Sequence, residues 1–536
     1  MTATSQAGSI DATAYVTNYP GTFTRDVDNL RTGLNPRETV LTSANINANQ
    51  FGKLFSYDID GVSDASPLYV PNVNIASVGV RNVVYVATEH DSVYAFDADG
   101  SRSTPLWKVS FINPSAGVTT VPPADTGEDL DISPEIGITG SPVINPSTNT
   151  LYVVAKTKTV GKGHKVTYEH RLHALDLGTG AEKLGGPVLI QASVTGTGAG
   201  ATGSQVPFIS LRENQRAALM LSNGVVYIAF AAHGDQPPYH GWILGYDAGT
   251  LQQVLVYNAT PDGAGGGVWQ SGDGLATDTT GNIYFVTGNG DFNANSSGRN
   301  YGDSFMKLST SGAVVDYFTP HDQLTMANSD LDLGSGGTTL LPDQPGPHPH
   351  LAISAGKNGT IYLVDRDNMG GFRPNDDNQI VQSLKNIFPN GTFITGNFKA
   401  PVYWNGRLFF SADADFIKSF QVTNGLLSTA PTSQSTFVVN YPGATLGMSA
   451  NGTSNGILWA IERIDHDPLG GGNLRAPGVL HAFDATNLAT ELYNSNQAPG
   501  SRDTLDYAAK WASPLVANGK VFVATNGRLT AFGLLP

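Results

Sequence analysis

Eight short polar stretches hold most of the side chains in this sequence that could do chemistry. In chain order they contain Glu89-His90-Asp91, Lys156, His233-Gly234-Asp235, Asn289-Gly290-Asp291, Lys357-Asn358, Asp413 with Asp415, Glu462-Arg463 and Asn526. Two further acids, Asp330 and Asp332, lie in SDLDLGSGG (329–337). Carboxylates can accept protons, and carboxylates and side-chain amides offer hard oxygens to a cation such as calcium. A lysine can hydrogen-bond developing negative charge and stabilise it. Asp, Asn and Gly also favour turns for purely local reasons, so any one of these residues reads first as a turn residue. Gathered in one place, they read as a ligand site.

Composition removes several alternatives. The chain has no cysteine, which excludes disulfides, thiolate chemistry, c-type haem attachment and cysteine-based zinc or iron sites. The formal net charge of −15 opposes nucleic acid as a partner and suits bound cations. His321, His348 and His350 do not form a helical HExxH pattern, so no zinc site is expected. GAGGG (263–267) lies outside any strand–helix–strand unit and is no dinucleotide fingerprint. No Gly-x-Ser-x-Gly nucleophile elbow is evident.

The elements that must position these turns form a repeat. NVVYVATEHDSVYAFDADG (82–100) is a strand, a polar turn, a second strand ending in Ala-Phe-Asp, and a Gly turn. The layout recurs at 150–180, 225–250, 282–312, 351–368, 407–425, 457–487 and 520–536, giving eight copies. A short strand precedes each, often opened by Ser-Pro or Ala-Pro, as in SPLYV (66–70) and APVYW (400–404). Most are followed by a fourth, such as LWKVSF (106–111). Val, Ile, Tyr and Phe runs bounded by Gly, Asn and Asp are strand signals, and no long 3.6-residue period competes with them. Four short antiparallel strands repeated eight times predict an all-β, eight-bladed β-propeller, with the turns between second and third strands on one face.

The last copy stops after its third strand. KLFSYDID (53–60) is a spare strand ahead of the first copy, and it is expected to complete the last blade and close the ring, hiding two edges. The expected organisation is an irregular arm over 1–50 and a single propeller over 51–536. The first residues show neither a basic nor an apolar leader segment, and no run approaches the roughly 18 apolar residues of a membrane span. Five Asn-x-Ser/Thr triplets, at Asn258, Asn295, Asn358, Asn390 and Asn451, lean the expected location towards an extracellular or periplasmic one.

The hairpin ending in Ala-Leu/Phe-Asp and a Gly turn resembles the repeat of pyrroloquinoline quinone (PQQ) propellers, over about residues 50–536. NIYFVTGNGDF (282–292) resembles the family's strand ending in Gly-Thr-Gly-Asn, whose Asn ligates calcium, which points to Asn289. YFTPHD (317–322) resembles the stretch leading to the family's catalytic Asp, for which Asp330 and Asp332 are the candidates. AGKNGTIYLVDRD (355–367) resembles the strand pair whose turn offers a cation to the quinone, here Lys357. The resemblance implies PQQ and calcium as cofactors. Asp332 and Asp330 would then be catalytic, Lys357, Trp269 and Asn289 would bind the cofactor, and Asn289, Asp235 and Asp332 would hold the metal. Three departures stand beside it. The family's vicinal Cys pair is missing. Its Glu metal ligand is replaced by Asp235 or His233 in AAHGDQPPYHGW (231–242). Trp269, in GGGVWQSGDG, is out of register with the family's floor tryptophan.

The leading expectation is a quinoprotein-like oxidoreductase acting on an alcohol or sugar, with a small molecule as its partner. The alternatives are a non-catalytic propeller that binds a ligand or a protein, and a cofactor-free cyclase, isomerase or lyase that reuses the same pocket.

Overall fold

Alternating apolar residues make strands with a buried face, and the Gly, Asn and Asp between them supply the turns that fold each strand back on its neighbour. In the computed structural model, which describes residues 19–76, 78–127, 131–390, 395–464 and 476–536, these strands build eight small antiparallel sheets arranged as an eight-bladed β-propeller. Blade 1 comprises Leu68–Ile75, Gly79–Thr88, Ser92–Asp97 and Trp107–Ser110, from the inside outwards. Blade 4 comprises Ala276–Thr277, Ile283–Val286, Phe305–Leu308 and Val314–Thr319. Blade 5 comprises Thr339–Leu340, Leu351–Ala355, Ile361–Asp365 and Gln382–Leu384. The α-helices among the described residues are short, Pro123–Thr126 and Gln323–Asn328, and none is long and apolar enough to cross a membrane.

Each pair of neighbouring blades shares its own apolar cluster. Val153 and Ala155 of blade 2 pack with Val83 and Tyr85 of blade 1, for example, and Trp459 of blade 7 packs with Val521 and Phe532 of blade 8. The ring closes at blade 8. There Phe51–Val62 pairs antiparallel with Asn526–Leu534, matching Lys53 with Phe532 and Asp58 with Arg528. The spare strand therefore lies where the incomplete last copy required it, two residues longer at each end than the sequence pattern indicated.

Two features go beyond the repeat. Blades 4 and 7 each gain a short parallel fifth strand, Gly371–Phe372 and Leu34–Asn35. The segment before the closing strand also runs inside the ring. It bonds the innermost strands in succession, from Tyr69 (Thr22 N–H to Tyr69 O, 2.8 Å) through Thr277 and Leu340 to Met448 (N–H to Gly33 O, 2.9 Å) and Val516 (from Asn35 Nδ2, 3.0 Å). Its Arg25 and Arg31 are buried: Arg25 pairs with Asp273 at 2.7 Å, and Arg31 donates to Leu275 O at 2.7 Å. A largely irregular backbone is thus stapled across the channel by hydrogen bonds to the inner strand edges, and it extends that of blade 7 through Leu34–Asn35.

Candidate functional site

The second strand of blade 4 ends in Thr287-Gly288-Asn289. Gly288 is required by space. A Cβ there would lie 2.4 Å from Asp332 Oδ1 and 3.1 Å from Trp269 Nε1. The missing side chain lets both groups approach the strand end, the usual meaning of a Gly at a strand terminus. Asn289 is then fixed twice. Its backbone N–H donates to Asp332 Oδ1 at 2.8 Å, and its Nδ2 donates to Asp330 Oδ1 at 2.6 Å. Its own Oδ1 is buried without a hydrogen-bond partner.

Lys357 comes from the matching turn of blade 5. Its backbone N–H donates to Asp332 O at 3.0 Å. Its Nζ lies 2.8 Å from Asp330 Oδ1 and 2.7 Å from Asp332 Oδ2, and 5.5 Å from the centre of the Trp269 ring. The structure therefore brings Asn289, Asp330, Asp332, Lys357 and Trp269 together. Burial opposes charge on all the ionisable members, but charge pairing decides between them. The Lys357 ammonium and the Asn289 N–H hold the Asp332 carboxyl below its ordinary range despite that burial. Burial likewise works against Lys357, yet Asp332 and Asp330 hold it above the ordinary lysine value. Asp330 is pushed up to about 7 by burial and by the neighbouring Asp332 charge, with Lys357 opposing. The Asp330 side chain is 38% exposed and that of Asp332 only 7%, so Asp330 is the acid that reaches solvent.

Asp235 sits nearby but apart. Tyr239 donates its hydroxyl to Asp235 Oδ1 at 2.7 Å, and burial, reinforced by the Asp332 charge, raises the Asp235 pKa. Among the described residues it shares no hydrogen bond with Asn289, Asp330 or Asp332. His233 belongs elsewhere, in a sealed group with Lys156, Glu213, Glu89 and His170. There Lys156 Nζ donates to Glu213 O at 2.9 Å and lies 2.6 Å from His233 Nε2. Burial lowers Lys156 to about 7, against the pull of Glu213 and Glu89, and burial with the Asp64 charge raises Glu89 to about 8. Other turn residues serve their own blades. Asp415 pairs with Lys418 at 2.5 Å, Glu462 with His481 at 3.2 Å, and Asp291 accepts Ala264 N–H at 2.9 Å.

A second set of charged residues escaped the sequence reading. Arg216 lies over both the Trp511 ring (3.9 Å) and the Trp269 ring (4.8 Å), and pairs with Asp131 at 2.5 Å. Lys399 lies 4.3 Å from the Trp511 ring and donates to Lys510 O at 3.0 Å. Each precedes an innermost strand, in RAALML (216–221), KAPVYW (399–404) and KWASPLV (510–516). The signal was available: a basic residue recurs just ahead of the same strand in three blades, as Asp64 and Asp273 do in two others.

The donor set fits the two groups that the sequence resemblance implies unequally. A planar tricarboxylate finds a flat aromatic face in Trp269 and cations in Lys357 and Arg216. A calcium ion finds one buried unpartnered oxygen, Asn289 Oδ1. Asp332 Oδ1 and Oδ2 are engaged by Asn289 and Lys357, and among the described residues no three His, Cys, Asp or Glu side chains are grouped to hold a metal. The protein's share of a calcium shell is therefore partial, and the remaining oxygens would have to come from a bound ligand.

This is a propeller with a polar, charge-dense centre on its turn face. No protein-family model matches the chain, and no curated protein sequence does. Among solved structures it is similar to the quinohemoprotein alcohol dehydrogenase of Comamonas testosteroni, at 15% identity and a TM-score of 0.59, with 96% of this chain and 80% of that one covered. It is equally similar to the quinohemoprotein alcohol dehydrogenase ADHIIG of Pseudomonas putida HK5, at 14% identity and a TM-score of 0.60, over 96% and 80% of the two chains. At such identity the likeness establishes the shared fold.

Proposed function

We propose that the chain is a quinoprotein-like oxidoreductase that oxidises an alcohol or sugar in the central pocket of the turn face. The observation that carries this reading is the buried, unpartnered Oδ1 of Asn289, set beside two carboxylates that share one lysine. A buried acceptor left without a partner costs about 1–3 kcal/mol, and a bound cation removes that cost. In this reading Lys357, Trp269 and Asn289 hold PQQ, Asn289 Oδ1 is the oxygen free for calcium, and Asp332 and Asp235 join it by giving up their hydrogen bonds to Lys357 and Tyr239. Because three side chains fall short of six to eight oxygen ligands, metal and quinone bind together. When bound, the quinone supplies a hydride acceptor.

The chain's own residues handle the proton and the charge. Asp330, poised near 7 and reaching solvent, accepts the alcohol proton. Asp332, kept ionised, fixes Lys357, and the Lys357 ammonium stabilises negative charge at the reacting end of the pocket. The reading goes with an extracellular or periplasmic setting.

The test is calcium titration by calorimetry with and without PQQ, followed by dye reduction with alcohols and aldoses. Calcium affinity that rises sharply with PQQ, together with turnover, supports the reading. Absence of PQQ binding under any condition overturns it. That outcome would favour a second reading, a non-catalytic pocket for an anionic ligand. Arg216 and Lys357 over the Trp269 ring, with Lys399 behind them, speak for that alternative.

A further inference from the structure

The hairpin of blade 2 outgrows its neighbours. Its strands Thr150–Val160 and Val166–Asp176 run eleven residues each, whereas the second strand of blade 1 ends at Thr88 and its outermost strand at Ser110. Side chains alternate across a strand, and the pairing matches Thr157 with Glu169, Thr159 with Thr167 and Ala155 with Arg171. The odd-numbered positions therefore share one face, the same face that packs Leu151, Val153 and Ala155 against blade 1. Where blade 1 runs out, that face continues unopposed, and a cavity of about 420 Å³ opens between the two blades. Its size falls within the roughly 300–1,000 Å³ of small-molecule pockets.

The lining changes character at the same point. Phe111, the first residue past the outermost strand of blade 1, stacks on the His173 ring with centroids 3.7 Å apart and gives the cavity an aromatic wall. Opposite it stand the hydroxyls of Thr157, Thr159 and Thr167, none of which makes a hydrogen bond among the described residues. Glu169 and Arg171 also line it, paired with each other at 2.9 Å, so their charges cancel within the wall. Glu169 uses one carboxylate oxygen in that pair and keeps the other uncommitted.

Uncommitted hydroxyls, a self-neutralised ion pair and an aromatic wall match a neutral ligand with many hydroxyls and an apolar C–H face. They do not match an anion or a cation, because net charge is lacking, and the apolar lining of Phe111, Val118, Ala155 and Pro187 suits the C–H face of such a ligand. We propose that this cleft between blades 1 and 2 is a second binding site, separate from the central pocket, for a monosaccharide-sized carbohydrate. Thr157, Thr167 and Glu169 hydrogen-bond its hydroxyls and the Phe111 ring contacts its C–H face.

The probe is D-glucose, observed by saturation-transfer NMR on the full chain, with a titration giving its affinity. The variants are the near-isosteric Thr157→Val/Thr167→Val pair, Phe111→Ala, and Asp330→Asn as the central-pocket control. The pair should weaken glucose binding by about tenfold, the loss of two uncharged hydrogen bonds, with an unchanged melting temperature. Asp330→Asn should leave binding in the cleft intact, whatever happens to PQQ. No glucose signal from the native protein overturns the proposal. So does glucose binding that loses neither affinity nor stoichiometry in the Thr pair, or a signal abolished by Asp330→Asn alone.

Discussion

Two groups of acids and lysines stand on the same face of the ring and obey opposite rules. Around Lys357 the charges are kept. Asp332 is held ionised, Lys357 is held protonated, and Asp330 opens to solvent. Around Lys156 the charges are suppressed. Burial pulls the lysine down to about 7 and pushes Glu89 up to about 8, and it depresses His233 and His170 well below their ordinary values. Turn sequences of similar composition thus give a charged site in one quadrant and a nearly neutral plug in the other. The deciding quantity is whether an opposite charge sits within hydrogen-bond reach. Lys357 has two carboxylates at under 3 Å, whereas Lys156 has backbone carbonyls and an imidazole.

The largest expected effect separates the two groups by activity. If Asp330 is the proton acceptor, Asp330→Asn lowers the rate by about 10²–10⁴-fold, the usual contribution of general base catalysis. The native rate should rise with pH through about 7, where Asp330 loses its proton, and the variant's residual rate should lack that rise. A pH–rate profile of PQQ-reconstituted protein checks this. An unchanged rise in the variant would move the base elsewhere.

Next is the cost of deleting the paired lysine. Lys357→Met leaves Asp332 and Asp330 facing each other without a cation and should cost about 3–5 kcal/mol by urea unfolding. The depressed pKa of Asp332 sets the pH window. Stability from that pairing is present above the ordinary carboxylate range and is lost as pH falls through the lowered value, so native protein and variant should converge in acid. A loss that persists undiminished at low pH would mean that Lys357 acts through packing.

How much of this was legible differs between the blade and its centre. The repeat, the blade number and the closing strand follow from strand patterning, which is local. Asn289, Lys357 and the acids of SDLDLGSGG could be placed together because consecutive blades present equivalent turns at one end of the channel. The partition of charge was not legible, since it depends on which side chains from three blades meet. Asp235 and His233 show the limit: two residues apart in one turn, one feels the Asp332 charge and the other packs on Lys156. Arg216, Lys399 and Lys510 were missed because their strand-entry positions carry no turn chemistry. The course of the arm was missed because its bonds go to strand edges far away in sequence.

A smaller effect tests the suppressed group through pH. With a folded pKa raised to about 8 from 4.5, Glu89 contributes stability that is complete below about 4.5 and is lost as pH rises towards 8. Glu89→Gln cannot ionise, so its stability should fall less steeply across that interval, by a difference on the order of a few kcal/mol at most. Parallel stability–pH curves for native protein and variant would show that Glu89 is ionised after all, placing it in the charge-keeping class.

The smallest effect is the sharpest comparison, because it changes the same residue type in the same way on the same face. Lys156→Met removes a lysine that is only about half protonated at pH 7. The main loss is of hydrogen bonds to Glu213 O and Leu211 O and of the contact with His233, so the cost should be about 2 kcal/mol, below that of Lys357→Met. Its pH dependence should run the other way. The folded pKa of about 7 lies below the ordinary lysine value of 10.5, so between those values the unfolded chain binds the extra proton and native stability rises with pH. The methionine variant lacks that rise, and the gap between the two proteins should widen from neutral to alkaline pH. Urea midpoints at pH 6, 8 and 9.5, chosen as round values about the expected pKa, check it. A gap that narrows with pH would mean that Lys156 is held protonated by Glu213 or Glu89, and the contrast between the two quadrants would fail.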